Sequence, residues 1–298
     1  MSPMKTKVVI ILALTLGCIS QIHSQNLLDQ LNKVQNDSVF EVAATFKATR
    51  LSIGHSVETR KKNVLEISAM TRYWNTAAET SNSFVADKMS ARFGLDYGIS
   101  DRLTAGLGWS TQGSVWDGFL KYRLLRQQNK GNIVSVTLLQ TATHRDFDVA
   151  ATNTYDDGSG SLGFGDKLAF TSQILIARKF TRNFSLQIAP TYVHRNTSIF
   201  QGDSDQYAVG IGGRYKLGPH VSVVSEYYYV VNPVDNPNTN GPFSLGVNWE
   251  LSDLMLQFKM TNNGAFVEDT FITKTRNNFN FRDGNFYFGF QATFFIQL

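Results

Sequence analysis

Residues Asn285 to Leu298 read NFYFGFQATFFIQL. Phe286, Phe288, Phe290, Phe294, Ile296 and Leu298 take every second position, with Ala292 in the remaining slot. Gly289, Gln291, Thr293 and Gln297 fall between them. A period of two is that of a β-strand with two unlike faces. The greasy face runs to the final residue, where soluble domains usually carry a polar, frayed tail. The closing strand of a transmembrane barrel has reason to be aromatic outside, polar inside and terminal. That expectation makes demands on the rest of the chain.

Of 298 residues, 42% are hydrophobic but only 17% are charged, below the roughly 25% usual in soluble domains. Phe (22) and Tyr (11) are plentiful and Pro (6) is scarce, which favours an aromatic-rich all-β protein. Beyond the N-terminus no apolar run is long enough for a helical membrane span. The mean hydropathy of -0.17 still fits a barrel, because half of every barrel strand faces water. The net charge of +4 comes with no basic tract, which argues against a nucleic-acid partner.

Met1 to Ser24 has the pattern of a secretory signal peptide. Lys5 and Lys7 precede the apolar run VVIILALTLG, and the expected cut follows Ser24. Leu16-Gly17-Cys18 resembles part of a lipobox, but Thr15 stands where that box wants an aliphatic residue; lipoprotein processing is the less favoured alternative. Residues 25–63 are expected to be a periplasmic lead-in or a plug segment, and 64–298 the barrel. Within the lead-in, Asn26 to Asp37 has the apolar spacing of a short amphipathic helix, marginal alone. Glu41 to Lys62 alternates weakly, and a first strand, a lead-in and a segment in the lumen all remain open for it.

From Val64 the pattern is regular. Strands are predicted at Val64–Arg72, Met89–Ile99, Arg102–Thr111, Trp116–Arg126, Asn132–Arg145 and Lys167–Phe180. Six more follow at Phe184–Asn196, Gln206–Leu217, Val221–Val231, Phe243–Leu251, Leu254–Asn262 and Asn285–Leu298. The fold class is therefore a transmembrane, antiparallel, up-and-down β-barrel of about twelve strands. Five connections are tight and carry turn chemistry: Ser100-Asp101, QQNKG, Thr181-Arg182-Asn183, Gly218-Pro219-His220 and Ser252-Asp253. They alternate with long connections, except for the short QGSV after Thr111. Short periplasmic turns and long outer loops produce this alternation in an outer-membrane barrel; a soluble sandwich has no reason to segregate loop length. An even strand number puts both ends in the periplasm. Trp109, Trp116, Phe180, Phe184, Tyr192, Tyr215, Phe243 and Trp249 fall near strand ends, as interfacial girdles do.

Several segments also carry a family resemblance. ATFKATR and GHSVET, then DGFLKYRLLRQ, ILIARKFT, PTYVHRN, GIGGRYKL, EYYYVVNP, FSLGVNWE and LQFKMTNN are similar, in order, to an uncharacterised family of bacterial membrane-bound β-barrels, a domain of unknown function. The resemblance covers about Val42 to Leu298, with Ala48 where a glycine is expected. It implies a barrel in a Gram-negative outer membrane and transfers no catalytic or ligand residue.

If large apolar side chains face lipid, the lumen receives Arg72, Arg92, Lys121, Arg123, Lys179, Arg195, Arg214, Lys216 and Lys259, with Glu66, Asp96, Glu226 and Glu250. Nine bases against four acids suit a weakly anion-selective channel. The same charges, paired with each other, would simply fill a narrow barrel. A membrane hydrolase is the remote reading: His194, Asn196 and Ser198 share one strand face at the outer rim, but no acidic or amide orienter follows in the pattern of the outer-membrane phospholipases. His55, His144 and His220 are dispersed, and no metal or other cofactor is expected. Asp146, Asp148, Asp156, Asp157, Asp203 and Asp205 lack calcium-loop spacing. GSGSLGFG (158–165) lacks the Lys of a phosphate loop.

The sequence thus points first to a passive channel or transporter for small solutes, with anions favoured. A closed barrel anchor whose loops bind a partner is the alternative. Outer-membrane lipid and the insertion machinery, reading the C-terminal strand, are the expected partners.

Overall fold

A computed structural model describes residues 40–42, 44–74, 87–145, 163–196, 204–234, 239–279 and 286–298. The expected signal peptide with Cys18, the helix at Asn26 to Asp37 and the acids Asp146, Asp148, Asp156, Asp157 and Asp203 lie outside the described residues.

Twelve strands form one closed antiparallel barrel in which every strand pairs with its sequence neighbours. They are β1 (Val64–Trp74), β2 (Lys88–Gly98), β3 (Leu103–Ser110), β4 (Val115–Leu125), β5 (Ser135–Arg145) and β6 (Leu168–Lys179). The second half comprises β7 (Phe184–Arg195), β8 (Asp205–Lys216), β9 (Val221–Val230), β10 (Phe243–Glu250), β11 (Leu254–Thr261) and β12 (Tyr287–Gln297). All twelve fall where alternation placed them, with ends differing by a few residues. β12 closes the ring on β1 from Val64↔Gln297 to Tyr73↔Phe288.

Nine of the twelve strands have 10–12 residues, which at about 3.3 Å per residue and the usual tilt spans the roughly 25 Å apolar band of a barrel wall; β3, β10 and β11 have eight. Leu95, Leu107, Leu120, Ile174, Ile211, Val247, Phe258 and Phe294 are exposed on the outer face. Water would penalise such a surface and hydrocarbon does not. Aromatic pairs sit near the strand ends: Trp109 and Trp116 with centroids 6.3 Å apart, and Phe180 and Phe184 at 5.9 Å. The tight turns share one rim, closed by bonds such as Phe180 N–H to Phe184 O at 3.0 Å and Leu251 N–H to Leu254 O at 2.8 Å. The opposite rim carries the longer connections and the one short turn, where Gly113 adopts φ +73°.

The interior is filled by chain that the strands do not supply. Residues 44–62 enter at the tight-turn rim, fold back through the bridge Arg50↔His55, and return to Asn63. Leu51 N–H bonds Gly54 O at 2.9 Å and Ser56 N–H bonds Thr49 O at 2.8 Å, which makes this a hairpin. From the other rim the β11–β12 connection folds inward and forms a short helix, α1 (Glu268–Thr273). Phe46, Leu51, Ile53 and Val57 of the hairpin pack with Phe271 and Ile272 of α1 against inward Phe119, Leu139, Leu175, Val224 and Tyr228. Of the three placements open for Glu41 to Lys62, the lumen is the one observed for residues 45–60, while Glu41 bridges Gln128 at the tight-turn rim. The inward turn of the last long connection was not expected.

Candidate functional site

The inner face alternates with the outer because β-strand side chains alternate, and the buried positions are the ones that faced the lumen in the sequence pattern. Their size is accommodated by inward glycines. A Cβ on Gly108 would fall 2.1 Å from Arg92 Nη2, and one on Gly289 2.7 Å from Arg72 Nη1. Small residues on one strand thus leave room for a guanidinium from another.

The wall holds the hairpin mainly by its backbone. Glu226 Oε2 accepts three successive N–H groups, from Ser52, Ile53 and Gly54, at 3.2, 2.9 and 3.1 Å. Lys121 Nζ donates toward the carbonyls of Thr49, Ser56 and Glu58 at 2.6, 2.8 and 3.1 Å. Gln187 accepts from Val57 N–H and donates to His55 O, both at 2.7 Å. Gln257 donates to Leu51 O at 2.9 Å, Thr137 Oγ1 to Val57 O at 2.7 Å, and Lys259 Nζ to Ser52 O. Thr49 Oγ1 lies 2.9 Å from Glu66 Oε1 and 2.5 Å from Asp96 Oδ2.

The other sequence-derived lumen candidates divide by depth. Arg72 and Arg92 are fully buried; Arg72 stacks over Phe266 at 5.0 Å and Arg92 Nε bonds Asp117 at 2.9 Å. Arg195 reaches Gln206 at 2.9 Å and Asp269 O at 2.5 Å beneath α1. Near the tight-turn rim, Arg214 and Lys216 share Glu250 at 3.1 and 3.6 Å, Arg123 bonds Thr59 at 2.9 Å, and Lys179 is half-buried. Asp117, Gln187 and Gln257 were missed. Asp117 follows from alternation in β4, since Trp116 faces out; the two glutamines carry no charge to draw attention.

The two inserted segments meet at the centre. Arg50 Nη1 bonds Glu268 Oε1 at 2.9 Å, and His55 Nε2 stands 3.5 Å from the same oxygen. Burial pushes the His55 imidazole well below its ordinary value, aided by Arg50 and Lys121, so it is neutral. Burial raises Glu268, against the opposing pull of Arg50. Asp269 goes the other way: burial would raise it, but Arg145 and Arg195 prevail and hold its carboxyl below the usual range. Arg145 Nη2 bonds Asp269 directly.

At the rim of the longer connections His194 Nδ1 lies 2.8 Å from Asp205 Oδ1, which Tyr192 also reaches at 2.5 Å. The acidic neighbour not found by pattern is therefore supplied by the next strand. Asn196 instead bonds Gly165 O at 2.8 Å, and Ser198 lies outside the described residues. Among the described residues no His, Cys, Asp or Glu group is gathered as for a metal ion.

The barrel is comparable to solved membrane barrels. The NanC porin is 8% identical over 78% of this chain and 99% of that one, with a TM-score of 0.50. The KdgM porin is 6% identical over 77% and 98%, with a TM-score of 0.47. An outer membrane channel from Pseudomonas putida F1 is 13% identical over 84% and 100%, with a TM-score of 0.44. At 8% identity the likeness to the NanC porin is one of fold alone. No curated protein matches the chain in sequence. A family model described as membrane bound beta barrel domain (DUF5777) matches residues 46–295, so it includes the hairpin as well as the wall. The chain belongs to this family of membrane-bound β-barrels.

Proposed function

We propose that the protein is an outer-membrane channel for small solutes, closed at rest by its hairpin and by α1, with the tight-turn rim in the periplasm. One observation carries this reading: the lumen is filled by tethered segments, while the wall around them is largely polar, with one apolar cluster. A barrel built only as an anchor is stable with wall side chains filling its own core. Here Lys121, Gln187, Glu226, Gln257 and Lys259 spend their hydrogen bonds on the hairpin. They are groups that water or a polar solute can satisfy when the hairpin leaves. The surplus of basic over acidic wall residues favours anions.

Planar-bilayer recording of the full chain tests this. Wild type is expected to stay closed for most of the record. Gly54→Val combined with Asp269→Asn should unseat both segments and give large conductance steps with an anion-selective reversal potential. A folded double variant that trypsin cuts at Arg50, yet that carries no current, would sink the channel and leave the barrel as a closed anchor.

A further inference from the structure

The hairpin is held as a peptide, and this suggests what else the lumen accepts. Resting on the channel reading, we infer that the solutes are short peptides and that the hairpin occupies their binding site as a built-in substitute.

Most of the wall's hydrogen bonds to the hairpin fall on main-chain atoms, beside a few to the hydroxyls of Thr49, Ser52 and Thr59. Glu226 takes three consecutive N–H groups with one carboxylate oxygen. Gln187 uses both ends of its amide, accepting from Val57 N–H and donating to His55 O. Lys121 gathers three carbonyls, and Gln257, Thr137 and Lys259 take one each. The wall thus presents acceptors to the N–H groups and donors to the C=O groups of one stretch of chain, with Gln187 supplying both. That pattern belongs to a peptide. A sugar presents hydroxyls in another geometry, and an inorganic anion has no donor for Glu226. A solute that fails to match leaves buried polar groups unpaired, which is where discrimination of this kind arises.

Space agrees with main-chain reading. A Cβ on Gly54 would sit 2.1 Å from Tyr228 Oη and 2.7 Å from Glu226 Oε1, so the hairpin backbone lies directly on the wall at its tip. The apolar cluster of Leu139, Leu175 and Val224 beside it offers general contact to side chains without requiring one in particular.

The full-chain double variant Gly54→Val/Asp269→Asn, in bilayers and in liposomes, provides the test. A synthetic peptide with the sequence of Thr45 to Thr59, added to the tight-turn side, should block its current. A peptide of the same composition capped and N-methylated along the backbone should not. In liposome swelling, a neutral tripeptide should enter roughly two- to tenfold faster than a sugar of equal size. Adding Glu226→Gln and Gln187→Leu should erase that preference, bringing the two entry rates to within about twofold of each other. A conducting variant that neither peptide blocks, or that passes tripeptide and sugar alike, overturns this inference and leaves the channel standing. A variant with both segments unseated and no current overturns both. If the double variant fails to reach the membrane, the wild-type wall with Ser52→Cys in the hairpin, labelled by a bulky thiol reagent in the unfolded chain before refolding so that the tip is held out, serves for the same comparison.

Discussion

At the residue scale, closure depends on positions that charge and size make unforgiving. Gly54 has no room for a side chain, because Tyr228 Oη stands 2.1 Å from where its Cβ would be. Tyr228 is itself buried and its ring is fixed against Phe271 at 5.6 Å. We expect Gly54→Val to destabilise the seated hairpin by about 1–3 kcal/mol, the usual cost of overpacking, and to raise trypsin cleavage at Arg50 by the corresponding factor. Unchanged cleavage would mean that the tip has slack. Asp269 is the matching position on α1. Its carboxyl is held below the ordinary value, so the stabilisation it gives exists above the unfolded value and disappears as pH falls through the lower folded one. The α1 segment should therefore remain seated from neutrality to about pH 5 and loosen only below the ordinary aspartate range of about 3.9. Asp269→Asn should loosen it at neutral pH by about 3–5 kcal/mol, since Arg145 and Arg195 lose their countercharge. Hydrogen exchange of the Phe271 and Lys274 amides reads both effects. Inward charges such as Arg92 and Lys121 were legible from alternation alone. Their partners were not, because a sequence pattern reports which way a side chain points and is silent about what occupies the space ahead of it.

At the scale of elements, the strands were legible and the inserted segments were not, for one physical reason. A wall strand separates two unlike media, lipid and lumen, and so acquires a period of two. The hairpin is surrounded on all sides by one wall, so Leu51, Ile53 and Val57 alternate only weakly and Phe46 falls off their period, while Thr49, Ser52 and Ser56 among them are buried too. Likewise α1 has six residues, too few for a helical stripe to stand out. β12, the strand legible at the outset, has the heaviest duty of the twelve. Val64 to Ile67 pair with Gln297 to Phe294, and Leu298 N–H bonds Asn63 O at 2.8 Å. Its inner face also touches the hairpin: Lys47 and Arg60 lie over the Phe295 ring at 5.2 and 5.3 Å. Removing Phe294 to Leu298 would leave the start of β1 unpaired in hydrocarbon, where each open backbone group costs several kcal/mol. We expect the truncated chain to be lost from the membrane fraction, with no heat-modifiable band on gels. Wild-type amounts of folded, inserted protein would contradict this.

At the scale of the molecule, two segments enter from opposite rims and meet inside, so their seating should be linked. The junction is specific. Arg50 on the hairpin bonds Glu268 at 2.9 Å and Phe266 O at 3.5 Å, and both segments share Tyr228, through Gly54 on one side and Phe271 on the other. If the hairpin withdraws, Glu268 is left in the barrel without Arg50; if α1 withdraws, Arg50 loses its carboxylate. Either loss leaves a buried charge unpaired, and each departure makes the other easier. This linkage can be measured without any solute. Gly54→Val acts on the hairpin and Asp269→Asn on α1, at positions that do not touch each other. Independent segments would give effects on Arg50 cleavage that add to within about 0.3–0.5 kcal/mol. Segments joined through Arg50–Glu268 should instead show a coupling of about 0.5–3 kcal/mol, and Glu268→Gln should shrink it, since the amide keeps the hydrogen bond and drops the charge. Additivity in the cycle would mean two separate stoppers. Coupling that Glu268→Gln shrinks would mean that an event at the long-connection rim reaches the tight-turn mouth in part through one buried ion pair.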